Sequence, residues 1–489
     1  MTGERTLTTK ALLNAASRAQ RSLGTRSAIV AGMTRLPEGC VSPGALVTDP
    51  DIVATYAVDS SYGAEPAPDV TLVRAAGIDD VIAVMREAQA HGIPVVPQGA
   101  RTALTGASCA VAGGIILNVE DLQGIDIDPV EGHAWVGPGV VTADLKAAVA
   151  EVGFHYPPDP ASADTCTIGG NVATNAGGLC CVKYGVTADY VSALEVVLPG
   201  GEVMRTGKRT AKGVAGLDLT GLFVGSEGTL GVITRALVRL QPAPDPALTA
   251  LATFDSLDDA VSGILAVRAD RHRPSLLEFL DRASIAAIAA VGDYGFPDGC
   301  EAALLVQSDR PGHTAEDVER YAGALAAAGA TEIAVAENRS EGDLLMQGRR
   351  MLNYALERKG PRLGEDACVP IQRLAEFVRI GQQIAAQTGV EITLSGHGGD
   401  GNLHPSLFFD GTPGDTHRVE HALDLVLRAA LDLGGTITGE HGVGLQKRHH
   451  LTWELGEAEI RRQLALKAVF DPLGIMNPGK VYDLGALRH

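Results

Sequence analysis

Two glycine-rich clusters near the end of the chain carry side chains able to bind a metal ion. His397 and His404 stand on either side of the segment GGDGNL, and Glu440 lies in the segment GEHG. Two imidazoles and one carboxylate suit Zn²⁺, Fe²⁺ or Mn²⁺, and the neighbouring glycines let the backbone approach closely. A lone histidine is more often a hydrogen-bonded polar residue. The prediction of a metal site therefore rests on three candidate ligands in two such clusters.

Three further glycine-rich segments could bind an anionic cofactor. Residues 97–108 (PQGARTALTGAS) follow a predicted strand, and their small side chains would let backbone N–H groups converge on a diphosphate. Residues 157–178 (PPDPASADTCTIGGNVATNAGG) are polar with interleaved apolar residues, which predicts a packed loop around a polar cofactor. Residues 225–233 (GSEGTLGVI) predict a tight turn that leads into a strand. An ordinary surface turn is also possible for the first segment, and a purely structural loop for the second.

Two apparent nucleotide-binding patterns are rejected. Residues 396–401 match G-x-G-x-x-G, but the next residues are NLHP, and Pro405 predicts an extended or turned segment where a nucleotide fold needs a helix. Gly207-Lys208 is followed by Arg209 and lacks the upstream glycine of a P-loop. The neighbouring arginines Arg349 and Arg350 lie in a helical pattern, and residue type alone favours a solvent-exposed face for both.

Composition limits the classes of protein. The chain has 489 residues, of which 45% are hydrophobic, and this predicts two to four folded domains. A net charge of −19 argues against nucleic acid or an anionic membrane surface as the main partner. The seven cysteines form no C-x-x-C pair, so iron–sulfur and zinc-ribbon sites are not expected and a reducing compartment is favoured. No membrane-spanning stretch or secretory signal is evident, which predicts a soluble cytoplasmic protein.

Local patterns predict two α+β units. In the first, residues 79–91 form a helix ended by Gly92, and strands are expected at residues 93–97, 114–119, 134–136 and 194–198. The proline-rich segment 241–247 indicates a linker. Beyond it, helices are expected at residues 256–269 and 315–328 and strands at 248–254, 275–280, 302–308 and 332–336. This pattern is typical of an α+β domain with an antiparallel sheet.

Together these motifs resemble one family. The segments PQGARTALTGAS, PPDPASADTCTIGGNVATNAGG, KYGVTADYVSALEVVLPGGEV, LDLTGLFVGSEGTLGVIT, GHGGDGNLHP, TGEHGVGLQKRHHL and FDPLGIMNPGKV occur in this order. The chain resembles the FAD-linked 2-hydroxyacid dehydrogenases, a group of vanillyl-alcohol-oxidase-like flavoproteins that act on D-lactate, glycolate or D-2-hydroxyglutarate. The resemblance extends over about residues 45–485.

The resemblance implies a fold and its domain boundaries. It implies an α+β protein with a two-subdomain FAD-binding domain of the PCMH type, without a Rossmann unit. A substrate or cap domain with an antiparallel sheet would follow, and a C-terminal segment would return to the flavin. The implied boundaries are a helical arm over residues 1–44, the FAD domain over 45–243, the cap over 244–430 and the C-terminal segment over 431–489.

The resemblance also implies a set of FAD contacts. No histidine or cysteine matches a flavin-tethering position, so the FAD is expected to be non-covalent. The implied contacts are Pro97, Gly99, Ala100, Arg101, Thr102, Leu104, Thr105, Gly106, Ser108, Pro158, Asp159, Ser162, Thr165, Gly169, Gly170, Asn171, Asn175, Gly178, Glu227, Gly228, Ile233 and Asn477.

Metal-dependent members of the family imply roles for the residues of the two clusters. His397, His404 and Glu440 match the ligands of a divalent metal, with zinc favoured over iron or manganese. His441 matches the general base, and Asn402 and Arg349 match residues that contact the substrate. The implied reaction oxidises a D-2-hydroxy acid to a 2-oxo acid by hydride transfer to flavin N5.

One departure from the family bears on the substrate. Relatives that act on long dicarboxylates tend to have a threonine at the position of Asn353 and a lysine farther on, and this chain lacks both, although Arg362 is nearby. A D-lactate or glycolate substrate is therefore favoured over 2-hydroxyglutarate. The sequence is also compatible with a non-catalytic FAD-binding subunit of a glycolate oxidase complex, or with a metallohydrolase. A quinone, a cytochrome or an electron-transfer flavoprotein would accept the electrons, and a homodimer is compatible with the sequence.

Overall fold

The computed structural model describes residues 36–410 and 412–483. The predicted helical arm lies mostly outside the described residues, and its described part, residues 36–44, forms turns and no helix. Within the described residues, no helix is both long and apolar enough to cross a bilayer.

The first subdomain is a small mixed sheet flanked by helices. Its strand order is β1-β2-β4-β3, with β1 antiparallel to β2 and the other pairs parallel. Its elements are β1 (Leu46–Val47), α1 (Pro50–Tyr56), β2 (Thr71–Arg74), α2 (Ile78–His91), β3 (Val95–Gln98) and β4 (Ile115–Asn118). Helix α2 ends as predicted, because Gly92 adopts the left-handed conformation with φ of 65°.

The second subdomain is a five-stranded antiparallel sheet with strand order β5-β6-β10-β8-β9. Its strands are β5 (Ile125–Asp128), β6 (His133–Val136), β8 (Val191–Val197), β9 (Val203–Gly207) and β10 (Val232–Arg239). Its helices are α3 (Thr142–Ala150), α4 (Ile168–Thr174), α5 (Cys181–Tyr184) and α6 (Leu219–Phe223). One face of the sheet packs on a core that includes Val136, Val172, Val196 and Val238.

The third unit is built on an eight-stranded antiparallel sheet, as the sequence predicted for this part of the chain. Seven strands follow the order β15-β12-β14-β13-β18-β19-β16, and β17 pairs with β19. The strands are β12 (Leu248–Phe254), β13 (Leu276–Asp281), β14 (Ala302–Ser308), β15 (Glu332–Val335), β16 (Arg362–Gly364), β17 (Ala367–Cys368), β18 (Ile392–His397) and β19 (Asn402–Phe408). The helices are α7 (Leu257–Arg268), α8 (Arg282–Ala289), α9 (Thr314–Ala327), α10 (Arg339–Leu345), α11 (Gln347–Lys359), α12 (Leu374–Thr388) and α13 (Pro413–Asp432).

The C-terminal segment returns to the first subdomain. After α14 (Leu451–Glu454) and α15 (Glu457–Phe470), Met476 forms a parallel bridge with Val95, and the Asn477 N–H donates to the Val95 carbonyl at 2.8 Å. The predicted α+β architecture with a returning C-terminal segment is therefore confirmed.

Three local predictions are corrected. Strand β3 continues through Pro97 instead of breaking there, because β4 pairs with only one side of β3 and the C-terminal segment on the other side bridges β3 only at Val95, so a proline at residue 97 costs no ladder hydrogen bond. Residues 157–178 are not all loop, since α4 lies within them. The predicted linker begins as strand β11 (Gln241–Pro242), which pairs with β7 (Phe154–His155) of the second subdomain.

We predict that Leu394→Ala destabilises the third unit. Leu394 lies in β18 with 1% of its surface exposed, and its truncation would leave a cavity beside Gly381 of α12. We expect the free energy of unfolding to fall by about 2–5 kcal/mol in urea titrations followed by circular dichroism. The control Leu344→Ala removes a side chain that is 65% exposed and should cost less than about 0.5 kcal/mol. Equal losses in both variants would contradict this account of the core.

Candidate active site

The three predicted metal ligands converge on one point. The His397 Nε2 atom lies 3.3 Å from His404 Nε2 and 3.3 Å from Glu440 Oε1, and His404 Nε2 lies 3.3 Å from the same Glu440 oxygen. Ligand atoms of a tetrahedral ion with bonds of about 2.0–2.1 Å are separated by roughly 3.3–3.4 Å. The triangle therefore has the dimensions of one face of a tetrahedral metal site.

The hairpin of β18 and β19 explains how two of these ligands meet. His397 pairs with Asn402 across the hairpin, and His404 lies two residues beyond Asn402. Cross-strand partners and alternate residues of a strand project from the same face of a sheet, so His397, Asn402 and His404 share one face. Gly396 and Gly401 lie on either side of the hairpin turn and both adopt positive φ, a conformation that glycine accepts without strain.

The ionic environment of the triangle suits a cation. Burial disfavours a charge on His397, but Glu278 and Glu440 outweigh it and raise the pKa of His397 well above its ordinary value. Burial lowers the pKa of His404 to about 3, which keeps this imidazole neutral and able to donate a lone pair. Burial opposes ionisation of Glu440, but His397 outweighs it and lowers the pKa of Glu440 to about 2. One carboxylate oxygen and two imidazole nitrogens thus face one another at 3.3 Å, so the donor set fits a divalent metal.

Glu440 and His441 lie on a loop held by a buried carboxylate. Asp366 accepts hydrogen bonds from the backbone N–H groups of Gly439 and Glu440 at 2.7 Å and of His441 at 3.2 Å. The fully buried ammonium of Lys447 lies 2.5 Å from Asp366 Oδ1 and 3.0 Å from Glu365 Oε2. Burial would raise the pKa of Asp366, but Lys447 and His441 outweigh it and hold this pKa well below the ordinary value.

His441 stands between the metal triangle and this buried cluster. Its ring stacks on His404 with centroids 5.2 Å apart and planes at 18°. Its Nδ1 atom lies 3.6 Å from Asp366 Oδ1, so Nε2 is on the opposite side of the ring. The Oδ1 atom of the neighbouring Asn402 is buried and has no hydrogen-bond partner among the described residues.

Arg349 points inward, which corrects the expectation from residue type. Its side chain is 13% exposed, and its Nε donates to Glu278 Oε2 at 2.7 Å. Arg350, by contrast, is exposed and pairs with Asp343, as residue type predicted. Glu278 also lies 2.7 Å from His397 Nδ1 through its other oxygen, so the arginine adjoins the metal triangle.

A cavity of about 470 Å³ extends from Glu440 and His441 between the first and second subdomains. This volume lies within the range of small-molecule and cofactor sites. The predicted FAD contacts that line it are Pro97, Gly99, Ala100, Arg101, Thr102, Leu104, Ser108, Ser162, Thr165, Gly169, Gly170, Asn171, Glu227, Gly228 and Ile233.

The remaining predicted FAD contacts do not line the cavity. Buried Asn477 donates to the carbonyls of Ala107 and Glu227, and the Thr105 carbonyl accepts from Leu445 N–H. Asn175 ends α4 and accepts from Ala188 N–H. The others are Gly106, Pro158, Asp159 and Gly178.

Two residues of the cavity lining have a strained backbone. Arg101 and Glu227 both have positive φ, a conformation that costs free energy for residues other than glycine and is frequent at functional sites. The Glu227 carboxylate accepts from the N–H groups of Val443 and Gly444 at 2.8 Å, and its burial raises its pKa. This interaction joins the second subdomain to the loop that follows His441.

Sequence reasoning missed several residues of the cavity, of which Thr167 is the most informative. Thr167 is 2% exposed, lines the cavity, and has an Oγ1 atom without a hydrogen-bond partner among the described residues. Gly99 opposite it leaves room for that hydroxyl, since a Cβ there would lie 2.5 Å from Oγ1. Buried polar atoms are normally hydrogen-bonded, so this hydroxyl fits a bound polar group. The signal was its position two residues before the glycine pair Gly169-Gly170, at the N-cap of α4.

The fold and this cavity define a flavoprotein of the class that binds FAD between two α+β subdomains. A family described as "FAD binding domain" matches residues 70–207, and one described as "FAD linked oxidases, C-terminal domain" matches residues 243–481. The chain belongs to the FAD-linked oxidase family.

Individual relatives agree with this assignment. The glycolate oxidase subunit GlcD of Bacillus subtilis is 40% identical over 437 residues, covering 88% of this chain and 93% of the relative. A D-lactate dehydrogenase of Anaerostipes hadrus is 34% identical over 432 residues, covering 86% and 90%. The structure of p-cresol methylhydroxylase with substrate bound has the same fold, with a TM-score of 0.75 at 17% identity and 98% of each chain covered.

We predict that Thr167→Val weakens FAD retention. The variant removes a buried hydroxyl that has no partner among the described residues, and a typical hydrogen bond contributes about 0.5–1.5 kcal/mol, which corresponds to roughly 2- to 10-fold in the dissociation constant. Fluorescence titration of the apoprotein with FAD measures this dissociation constant. The control Thr393→Val removes an equally buried, unpartnered hydroxyl in β18 of the cap sheet. Equal FAD affinity in Thr167→Val and the natural protein would contradict the role.

Proposed function

We propose that the chain is an FAD-dependent dehydrogenase that oxidises a D-2-hydroxy acid to a 2-oxo acid. The observation that supports it most directly is the triangle of His397, His404 and Glu440 at the end of the cavity, beside His441. A D-lactate or glycolate type of substrate is favoured, since named relatives include a glycolate oxidase subunit and a D-lactate dehydrogenase. The FAD is proposed to be non-covalent, with the predicted contacts along the cavity.

The bound groups would supply two kinds of chemistry. FAD accepts a hydride at its N5 atom, and this chemistry belongs to the cofactor. A divalent metal held by His397, His404 and Glu440 would act as a Lewis acid toward the hydroxyl and carboxylate oxygens of the substrate. Zinc is favoured by the ligand types, and iron or manganese would also be accepted by them.

His441 is proposed as the general base that takes the hydroxyl proton. Its Nδ1 side faces Asp366, which leaves Nε2 for the substrate. The buried Asp366, Glu365 and Lys447 carry one net negative charge next to this ring, which would stabilise the imidazolium formed when His441 accepts a proton. Histidine is the side chain that most often serves as a general base.

Arg349 and Asn402 are proposed to orient the substrate. In the described residues, Arg349 uses Nε for Glu278, so its two Nη groups are the donors left for a substrate carboxylate. Asn402 lies on the same face of the hairpin as both histidine ligands and has an unpaired side-chain oxygen. Fixed contacts on each side of the reacting carbon would present one face of it to the flavin.

The competing functions differ in what they require of the site. D-2-hydroxyglutarate is a second candidate substrate. The two residues that bear on its second carboxylate are Arg362, which donates to Ser406 at 2.9 Å, and Asn353, which lines the cavity. A non-catalytic flavin subunit would not need the ligand triangle, and a metallohydrolase would not need the flavin. The acceptor, the oligomeric state and a cytoplasmic location remain predictions.

The function is tested by anaerobic flavin bleaching. We expect the bands of the purified yellow protein to bleach with D-lactate, glycolate or a related acid from a chiral 2-hydroxyacid panel. Chelator treatment should abolish bleaching while the FAD stays bound, and Zn²⁺ or Mn²⁺ should restore it. Flavin that never bleaches across the panel would favour the non-catalytic subunit, and full bleaching by a metal-free preparation would exclude the metal role.

We predict that His441→Gln slows flavin reduction by about 10²–10⁴-fold, the usual contribution of a general base. FAD and metal contents should not change, because this side chain is not among the three ligands. Stopped-flow absorbance under anaerobic conditions measures the rate. His449→Gln is the matched control, since the His449 side chain is 52% exposed and its ring lies tilted against that of His450, with centroids 3.6 Å apart. An unchanged rate in His441→Gln would remove this residue from the mechanism.

A further inference from the structure

Glu278 is the charged residue of β13 that contacts the site. It is fully buried, and each of its two carboxylate oxygens has its own partner. Oε1 lies 2.7 Å from His397 Nδ1, and Oε2 accepts from Arg349 Nε at 2.7 Å. One carboxylate therefore touches both a candidate metal ligand and the candidate substrate-binding arginine.

The contact with His397 fixes which ring nitrogen can bind a metal. A carboxylate accepts a proton donor, so Nδ1 carries the hydrogen and Nε2 is left with its lone pair. That Nε2 atom is the one that faces His404 and Glu440. Carboxylates that hold the second nitrogen of a metal-ligating histidine orient the ring and raise its basicity, and their loss typically costs about 10- to 100-fold in metal affinity.

The contact with Arg349 explains why this arginine points inward. Its neighbour Arg350 lies on the same helix, α11, but turns outward to Asp343, with 57% of its side chain exposed. The Nε contact of Arg349 with Glu278 leaves both Nη groups of its planar fork for another anion.

Charge also favours this arrangement. The Glu278 carboxylate lies between the Nδ1 side of His397 and the guanidinium of Arg349, and both groups stabilise its negative charge. Glu278 and Arg349 then cancel each other. A divalent metal on two neutral imidazoles and Glu440 would leave one positive charge, which matches a substrate with a single carboxylate.

We propose that Glu278 is a positioning residue that couples the metal centre to the substrate-carboxylate site, orienting His397 through one oxygen and Arg349 through the other. This inference rests on the proposed function for its substrate half, and its metal half stands on the ligand triangle alone. Glu278 itself touches neither the reacting atoms nor the cavity.

The test compares Glu278→Gln with two control variants. Zn²⁺ is titrated by calorimetry into chelator-treated, FAD-loaded protein. We expect Glu278→Gln to raise the Zn²⁺ dissociation constant about 10- to 100-fold. In Arg349→Lys, the Zn²⁺ dissociation constant should stay within about twofold of that of the natural protein, because the Glu278 carboxylate still holds His397. The same variant should have a higher KM for the acid that bleaches the flavin, and this rise should exceed the fall in kcat. Asp281→Asn alters another buried carboxylate of β13, one that accepts from Ser284 and Leu394 N–H, and should also leave Zn²⁺ binding unchanged.

The outcomes separate the two proposals. Zn²⁺ binding by Glu278→Gln that equals the natural protein, or an equal loss in Asp281→Asn, overturns the role of Glu278. If Glu278→Gln fails to fold, Glu278→Asp keeps the charge, withdraws it by one methylene, and should show a smaller loss in the same direction. A natural protein that binds no Zn²⁺ overturns the inference together with the metal centre. Tight Zn²⁺ binding that depends on Glu278, without bleaching by any hydroxyacid, overturns only the proposed function.

Discussion

The ion cluster of Asp366 and Lys447 holds the active-site loop in place. Asp366 accepts hydrogen bonds from the three consecutive backbone N–H groups of residues 439–441, and the ammonium group of Lys447 forms an ion pair with it. Removing two such charges from water costs several kcal/mol per ion, and the contact with Lys447 and the three N–H donors of the loop offset this cost for Asp366. The cluster helps to fix Glu440 and His441 relative to the hairpin of His397 and His404.

Glycines allow the parts of the site to meet at short range. A Cβ at Gly177 of the second subdomain would lie 2.7 Å from Glu440 Oε2, and a Cβ at Gly439 would lie 2.6 Å from Asn402 Oδ1. Both approaches are shorter than the contacts real side chains make. The glycine clusters around the candidate ligands therefore leave the space in which three separate segments of the chain meet. They also give the backbone more conformational freedom.

The sequence predicted those features that local patterns determine. The helix of residues 79–91 and the antiparallel cap sheet both follow from short-range periodicity. The hairpin register that places His397 and His404 on one face was not predicted. The inward turn of Arg349 could not be predicted, because it depends on Glu278, which is 71 residues away in the chain. Helix α4 was missed since Gly169 and Gly170 disfavour a helix, and the packing of Pro138 against Gly169 is visible only in three dimensions. A glutamate within the apolar strand LLEFLD was a usable signal for Glu278.

The order in which the ligands occur along the chain has a consequence for biosynthesis. The hairpin that holds both histidines can form from neighbouring residues, whereas Glu440 and His441 come more than thirty residues later, and the bridge of Met476 to Val95 closes the first subdomain later still. During synthesis on the ribosome, the histidine pair of the hairpin would thus emerge well before Glu440 and His441. The candidate site would be completed only after nearly the whole chain has been made.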